Sequence, residues 1–277
     1  MTGFVDFDIR RLGSVDSTNT RAKALAEQGA PAGTLVVAAE QTGGRGRHGR
    51  QWHSPPGNFY GSLLLRPRLR LADTASLSLV IGLAALAAVE AVGGRALPIV
   101  VKWPNDLLLR QQKLAGILLE GAAEADGGCA WLVAGLGVNL VSHPDNPIYP
   151  STSLAEEGID GVTPEAFLAA YTSALAQHLP LWFAEGFAPF RDAWLARAAG
   201  LGRPVSLRIG EDAHRGLRTR GLRARGLRAP GLRAPGLRAR GLLAPGLRPP
   251  GPRALVPPVR GPRHVRAAPT SRLSRST

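Results

Sequence analysis

The feature that most limits what this 277-residue chain can fold into is a break in its composition near residue 212. All 20 acidic residues lie at or before Asp212, together with 18 of the 34 Lys and Arg, so the front of the chain carries a net charge of −2. The other 16 basic residues follow with no acid among them, and the overall charge of +14 is a property of the tail. From Gly216 the sequence repeats every five residues (GLRTR, GLRAR, GLRAP, GLRAP, GLRAR, GLLAP, GLRPP), and no Phe, Trp or Tyr occurs after Trp194. Gly and Pro at that density deny a segment both helix and strand, and scattered Leu residues cannot bury enough area to offset chain entropy. Disorder is therefore predicted for 213–277, and a uniformly basic globule is excluded. The spaced arginines would suit a polyanion. Gly, Arg, Pro and Ala also share GC-rich codons, so an out-of-frame stretch of a disrupted GC-rich gene would read the same way.

The front of the chain alternates strand-like and helix-like stretches. Ile9–Val15 reads as extended, and Asp16-Ser17-Thr18-Asn19 offers N-cap chemistry for a helix to about Gln28. Gly29 and Pro31-Ala32-Gly33 end it, and the β-branched run Thr34–Ala39 has the pattern of a buried strand. After a polar Gly/Arg segment, Gln41–Arg50, further strands are predicted at Phe59–Leu65, Ile99–Lys102, Leu114–Glu120 and Trp131–Leu140. Residues 75–92 read as an Ala-rich helix, apolar on nearly every side, that belongs inside the fold. Another helix opens at Thr163-Pro164, with proline in its first turn, and runs to about His178; a shorter one covers Phe187–Arg197. Helices interleaved around a sheet with Gly-rich turns give an α/β or α+β domain of catalytic type.

The single cysteine, Cys129, excludes an intrachain disulfide framework and a multi-Cys metal site, and it fits a reducing compartment. The start, MTGFVDFDIR, has no basic lead into an apolar stretch, so no secretory signal is expected. The apolar run Leu77–Val89 is short for a bilayer and is followed by Glu90. The expectation is a cytoplasmic protein that does not enter a membrane.

Candidate chemistry sits in a few short segments. In Gly43-Gly44-Arg45-Gly46-Arg47-His48-Gly49-Arg50 the glycines let backbone approach a ligand, while the arginines supply charge and planar donor forks. That suits a phosphorylated or carboxylated small molecule, although no Gly-Lys-Ser/Thr closes it as a P-loop. Lys102-Trp103-Pro104-Asn105-Asp106 places a cation, a rigid turn, an amide and a carboxylate at the end of a strand. In Lys113-Leu114-Ala115-Gly116-Ile117-Leu118-Leu119-Glu120 one lysine heads a very apolar strand. Gly135-Leu136-Gly137-Val138-Asn139 lacks the third glycine and following helix of a dinucleotide fingerprint. No Ser-His-Asp or Cys-His constellation supplies a covalent nucleophile.

In this order and at these separations, Ser17-Thr18-Asn19, Gln41 with GRGRHGR, KWPND, KLAGILLE and GLGVN resemble the motif series of the biotin–protein ligases over residues 10–200. The resemblance implies an α+β catalytic domain over 1–200, akin to class II aminoacyl-tRNA synthetases, with helices packed on a mixed sheet. It also implies a two-step ligase reaction. Biotin attacks the α-phosphate of MgATP to give biotinoyl-5′-AMP and pyrophosphate. The adenylate then acylates a lysine on the biotin carboxyl carrier domain of acetyl-CoA carboxylase or a related carboxylase. A carboxylate that must approach an anionic phosphate needs fixed cations to neutralise both, which the arginines and lysines of these motifs can supply.

By the same resemblance, Ser17, Thr18, Asn19 and Gln41 hydrogen-bond the biotin head, and Arg45, Gly46 and Arg47 form a loop closing over biotin and the adenylate. Ser17 and Thr18 also suit helix capping. Lys113 meets the biotin carboxylate and the α-phosphate, Lys102 the ATP phosphates, and Arg47 holds the intermediate; these three form the catalytic set. Trp52 stacks on adenine with Asn139 near the purine edge, and Asn105 and Asp106 bind nucleotide, Asp106 also being the candidate Mg2+ ligand. Glu120 and His53 carry no assigned role. Some members place a DNA-binding winged helix before the catalytic domain, and only about ten residues precede it here. No repressor role and no DNA binding through the catalytic domain is expected, and a homodimer is left open. The family also ends in a small SH3-like domain. Leu201–Leu207 reads as its first strand before the repeat takes over, so 201–212 is expected to be a remnant of that domain, lost or disrupted. A lipoate or octanoyl ligase of the same superfamily, or a polyanion-binding protein acting through the tail, are the rival readings.

Overall fold

The computed structural model describes residues 6–94, 96–145 and 150–202, together with the backbone of 204–209 and 212–217. Of the tail expected to be disordered, 213–277, residues 218–277 lie outside the described residues. The elements in order are β1 (Asp8–Val15), α1 (Thr18–Glu27), β2 (Thr34–Gln41), β3 (Phe59–Leu65), α2 (Leu77–Gly93), β4 (Ile99–Lys102), β5 (Asp106–Leu109), β6 (Gln112–Ala123), β7 (Cys129–Val138), α3 (Pro164–Glu185), α4 (Arg191–Ala196), β8 (Pro204–Ile209) and β9 (Asp212–Leu217). Seven strands make one mixed sheet in the order β1-β2-β3-β7-β6-β5-β4. Only β1 and β2 run parallel, joined by the α1 crossover; the other neighbours are antiparallel. This is the α+β architecture expected.

Alternation along the strands divides the core between two faces. Val36, Leu64 and Val133 point to one face, where Ala22 and Ala26 of α1 pack on them. Leu35, Val37, Leu63, Leu65, Ala134, Leu136 and Val138 point to the other, under α2 and α3. The strand FYGSLLL of β3 is consequently buried at every position. Small alanines let α1 lie close to the sheet, and Arg66 fixes its far end. The Arg66 guanidinium donates to the carbonyls of Ala26 at 2.7 Å, Ala30 at 3.1 Å and Ala130 at 3.0 Å.

The segment Leu71–Gly93, which includes α2, is long and apolar enough to cross a membrane, with a mean hydropathy of 2.1, but 72% of its most apolar window is buried inside the protein. It is a core helix, ended by Gly94 in the left-handed region at φ 64°. α3 starts as expected, with the Thr163 hydroxyl accepting from the Ala166 amide at 3.1 Å and Pro164 in the first turn. It continues past His178 through Pro180, because Leu175, Leu179 and Trp182 on its buried face carry the packing across the proline. At the β4 edge, residues 197–199 cover the strand: the Val101 amide donates to the Arg197 carbonyl, and the Ala199 amide to the Val101 carbonyl.

One strand was not expected. β5 follows the KWPND turn and pairs with β4 from Lys102–Asp106 to Ile99–Leu109. It joins β6 through Arg110-Gln111, both with positive φ, at 48° and 72°. Such turns favour Asn and Gly, and neither is present to announce the hairpin. β8 and β9 form a separate two-stranded antiparallel sheet, in register from Pro204–Leu217 to Ile209–Asp212. Pairing therefore continues through Ala213–Leu217, which composition alone places in the tail.

Candidate active site

The sheet face that carries α1 is left open beside the helix N-terminus, and there a cavity of about 990 Å³ forms. Its walls are the start of α1, the Gly/Arg loop after β2, the β4–β5 turn, and the exposed ends of β6 and β7. Ser17, Thr18, Asn19, Gln41, Arg45, Gly46, Arg47, Trp52, Lys102, Asn105, Asp106, Lys113 and Asn139, drawn from segments far apart in sequence, all line it.

At one end the groups are neutral, buried and bonded to one another. Ser17 occupies the N-cap position, yet its hydroxyl makes no capping bond. Gln41 caps instead: its Oε1 accepts from the Thr18 amide at 2.8 Å and from Thr18 Oγ1 at 3.1 Å, while its Nε2 donates to Ser54 Oγ at 2.9 Å. Ser62 donates to Asn19 Oδ1 at 2.6 Å and lies 2.7 Å from Thr18 Oγ1. Ser17, Thr18 and Asn19 are each at most 4% exposed. A fixed mosaic of hydroxyl and amide groups is what a neutral, ring-borne set of donors and acceptors requires.

The floor between the ends is bare backbone. Gly116 and Gly137 oppose each other across β6 and β7, and the Trp52 indole lies over both. A Cβ on Gly137 would meet indole Nε1 at 2.5 Å, and one on Gly135 would overlap the Asn19 amide. Trp52 Nε1 is buried and has no hydrogen-bond partner among the described residues.

The other end is cationic. Lys113 reaches the cavity through a β-bulge. Leu107 pairs with Ala115 but Leu108 with Lys113, which leaves Leu114 as an extra residue in β6. Strict alternation would put Lys113 and Gly116 on opposite faces; with the bulge they share one, and a Cβ on Gly116 would lie 3.2 Å from Lys113 Cε. Lys113 Nζ is 2.7 Å from Asp106 Oδ1 and 5.2 Å from the Trp52 ring centroid. Arg47 Nη1 donates to Asn105 Oδ1 at 3.3 Å, and Asn105 Nδ2 to the Ile117 carbonyl at 2.8 Å. Burial lowers the Arg47 pKa from its usual value while Asp106 opposes that shift; an arginine so placed remains a cation. Lys102 stands exposed at the rim.

Among the described residues, Asp106 is the only carboxylate lining the cavity, and no cluster of three His, Cys, Asp or Glu side chains occurs. One carboxylate suits Mg2+, which keeps much of its water and binds chiefly through phosphates. Asn139 is committed within the protein: its Nδ2 donates to the Thr152 carbonyl at 3.0 Å and sits 3.5 Å from that of Lys113, and it is 2% exposed. Sequence reasoning passed over Ser54, Ser62 and Glu120. Ser62 stands out as the one serine in a strand of otherwise aromatic, glycine and leucine residues, and Glu120 shares the face of Gly116 and Leu118 by simple alternation.

A biotin–[acetyl-CoA-carboxylase] ligase of Paracoccus denitrificans is 42% identical over 211 residues, covering 74% of this chain and 87% of the relative. The chain belongs to the biotin–protein ligases. The model of the biotin/lipoate A/B protein ligase family matches residues 12–139. Biotin protein ligase from Aquifex aeolicus in complex with biotin and ATP has the same fold, with a TM-score of 0.66 at 30% identity over 77% of this chain and 87% of that one. The bifunctional ligase/repressor BirA of Bacillus subtilis is 33% identical over 201 residues, and the match spans 60% of its length.

Proposed function

We propose that this member of the biotin–protein ligases activates biotin with ATP and transfers it to a lysine on a biotin carboxyl carrier domain of acetyl-CoA carboxylase type. The observation that carries the reading is one cavity with a neutral hydrogen-bonding end and a cationic end, joined by a glycine floor. A molecule with a polar ring head and a carboxylate tail fits that polarity. In the first step a biotin carboxylate oxygen bonds to the α-phosphorus of ATP and the bond to pyrophosphate breaks. Lys113 gives up Asp106 for the carboxylate and the α-phosphate, where negative charge concentrates. Lys102 receives the outer phosphates, and Arg47 with the loop residues Arg45 and Gly46 covers the adenylate.

Ser17, Thr18, Asn19 and Gln41 hold the ureido ring, Trp52 offers its face to adenine, and Asn105 and Asn139 flank the nucleotide. Asp106, once parted from Lys113, is the residue available to Mg2+, whose charge would screen the phosphates. In the second step the neutral amine of the carrier lysine attacks the acyl carbonyl, the amide forms and AMP leaves. The enzyme works in the cytoplasm, on a protein acceptor rather than on DNA. The lipoate and tail-mediated readings are not favoured beside a 42%-identical biotin ligase. β8 and β9 we read as the start of the C-terminal domain.

The test is the intact mass of a biotin carboxyl carrier domain incubated with the chain, biotin and MgATP. An ATP-dependent gain of one biotinoyl group is expected. No gain, together with no pyrophosphate release, would overturn the reading.

A further inference from the structure

Glu120 carries none of the roles above, yet its carboxylate joins three parts of the site. It stands on β6, 24% exposed at the side chain. Oε1 accepts from Lys23 Nζ of α1 at 2.9 Å. Oε2 accepts from Asn19 Nδ2 at 2.8 Å and from Arg45 Nη2 at 3.3 Å. Arg45 Nη1 also donates to Thr20 Oγ1 at 2.8 Å, so that guanidinium is tied to both β6 and α1.

Each partner has a consequence. Asn19 presents its carbonyl oxygen to Ser62 and its amide nitrogen to Glu120 at 2.8 Å, with the Leu118 carbonyl a longer contact at 3.4 Å, so the carboxylate is the closer of the two acceptors that set which way the amide faces. Arg45 is the base of the Gly/Arg loop. It bridges to Gln51, the Gly46 amide donates to the Arg50 carbonyl at 2.7 Å, and the Trp52 amide to the Gly44 carbonyl at 2.9 Å. Holding Arg45 holds the stem of that small hairpin. A guanidinium already paired with a carboxylate contributes little net charge to a phosphate, so Arg45 anchors the loop and leaves the charge work to its neighbours.

We propose that Glu120 is a positioning residue that couples closure of the Arg45–Gln51 loop to recognition of the biotin head, because one oxygen, Oε2, serves both Arg45 and Asn19. The coupling rests on the biotin reading of the cavity. Loosening the loop frees Oε2 from Arg45 and lets the Asn19 amide turn. Filling the head pocket fixes Asn19, which fixes Oε2 and the loop base in turn.

The experiment compares the full chain with its Glu120→Gln, Arg45→Gln and Lys23→Met variants, with melting temperatures recorded alongside. It measures trypsin cleavage after Arg47 and Arg50 with and without biotin, the Kd for biotin, and separate KM and kcat values. Glu120→Gln keeps an acceptor but loses the charge. It should speed loop cleavage about tenfold, remove protection by biotin, and raise the KM for biotin about tenfold, while kcat at saturating biotin and the KM for ATP stay near those of the parent. Lys23→Met, which breaks only the Oε1 contact, should behave as the parent. Arg45→Gln leaves the Asn19 contact in place but should weaken biotin as well as free the loop. Faster cleavage in Arg45→Gln with an unchanged biotin Kd would overturn the coupling and, with Arg45 still available, does so even if Glu120→Gln fails to fold. Parent-like cleavage and affinity in Glu120→Gln, or the same losses in Lys23→Met, would overturn it too. A parent chain that binds no biotin would sink the reading of the cavity itself, a result distinct from all of these.

Discussion

The two ends of the cavity are built on opposite plans. At the neutral end, Thr18, Asn19, Gln41, Ser54 and Ser62 are hydrogen-bonded to one another before any ligand arrives. At the cationic end, Lys113 rests on Asp106 and Arg47 on Asn105, partners that a carboxylate or phosphate can replace. Burying hydroxyls and amides is tolerable only when they are paired, so a recognition surface for a neutral ring gains by being preassembled. Charges that must meet a transition state gain by being held ready but exchangeable, since only interactions stronger there than in the ground state accelerate chemistry. On the proposed function, selectivity and rate fall to different parts of one cavity, and each can be broken separately.

The largest effect belongs to the cationic end. Lys113→Ala should slow adenylate formation by about 10²–10³-fold, the scale of losing one transition-state donor. Biotin binding without ATP should fall far less. Single-turnover pyrophosphate release beside calorimetry would show it, and a loss below tenfold in rate would remove Lys113 from the chemistry. The matching break at the neutral end is Gly135→Ala, whose new Cβ overlaps the Asn19 amide. Overpacking of that kind costs about 1–3 kcal/mol, so the Kd for biotin should rise about 10–100-fold with the KM for ATP little changed. Equal damage to both substrates would mean that the ends are not independent.

Acid should loosen the neutral end, since Asn19 and the loop base are tied to one ionised carboxylate, Glu120. Burial raises the Glu120 pKa, but hydrogen bonds from Asn19 and Lys23 and the charges of Arg45 and Lys23 more than offset this, leaving it below its ordinary value of 4.5. A carboxylate depressed in the folded state contributes stability above that ordinary value and loses it as pH falls through the lower folded one. Loop cleavage by an acid-tolerant protease should therefore rise steeply below about pH 4.5 in the parent and stay flat in Glu120→Gln. The smallest effect is a gain. Gln111 holds φ 72° in the hairpin that carries the cationic end. Gln111→Gly should stabilise the chain by about 0.5–1 kcal/mol, seen as a melting temperature a few degrees higher.

Strong local patterns were legible in the sequence: β3 as a short strand-like run, the apolar α2, the Thr163-Pro164 helix start. So was membership of the cavity, because each of the expected lining residues lies in or beside a motif with its own polar or glycine signature. What could not be read is what depends on pairing. β5 hid because Arg110-Gln111 has no turn chemistry. The helix expected to stop near His178 runs on to Glu185, because packing of Leu179 and Trp182 carries it past Pro180. Ser17 looked like a cap, a task that Gln41 performs from another element. Glu120 looked like an ordinary strand-end acid, since three partners from α1 and the loop reach it only after folding.

The extra residue at Leu114 sets an arithmetic rule for any change of length in this hairpin. Deleting Leu114 would leave Lys113 two positions from Gly116, on the same face by strict alternation and with no bulge required, while keeping Leu114 but losing the bulge would turn Lys113 toward the core. Viable relatives and library variants should accordingly carry both the extra residue and the bulge, or neither. The lysine is specified as much by the parity of the chain that delivers it as by its own codon.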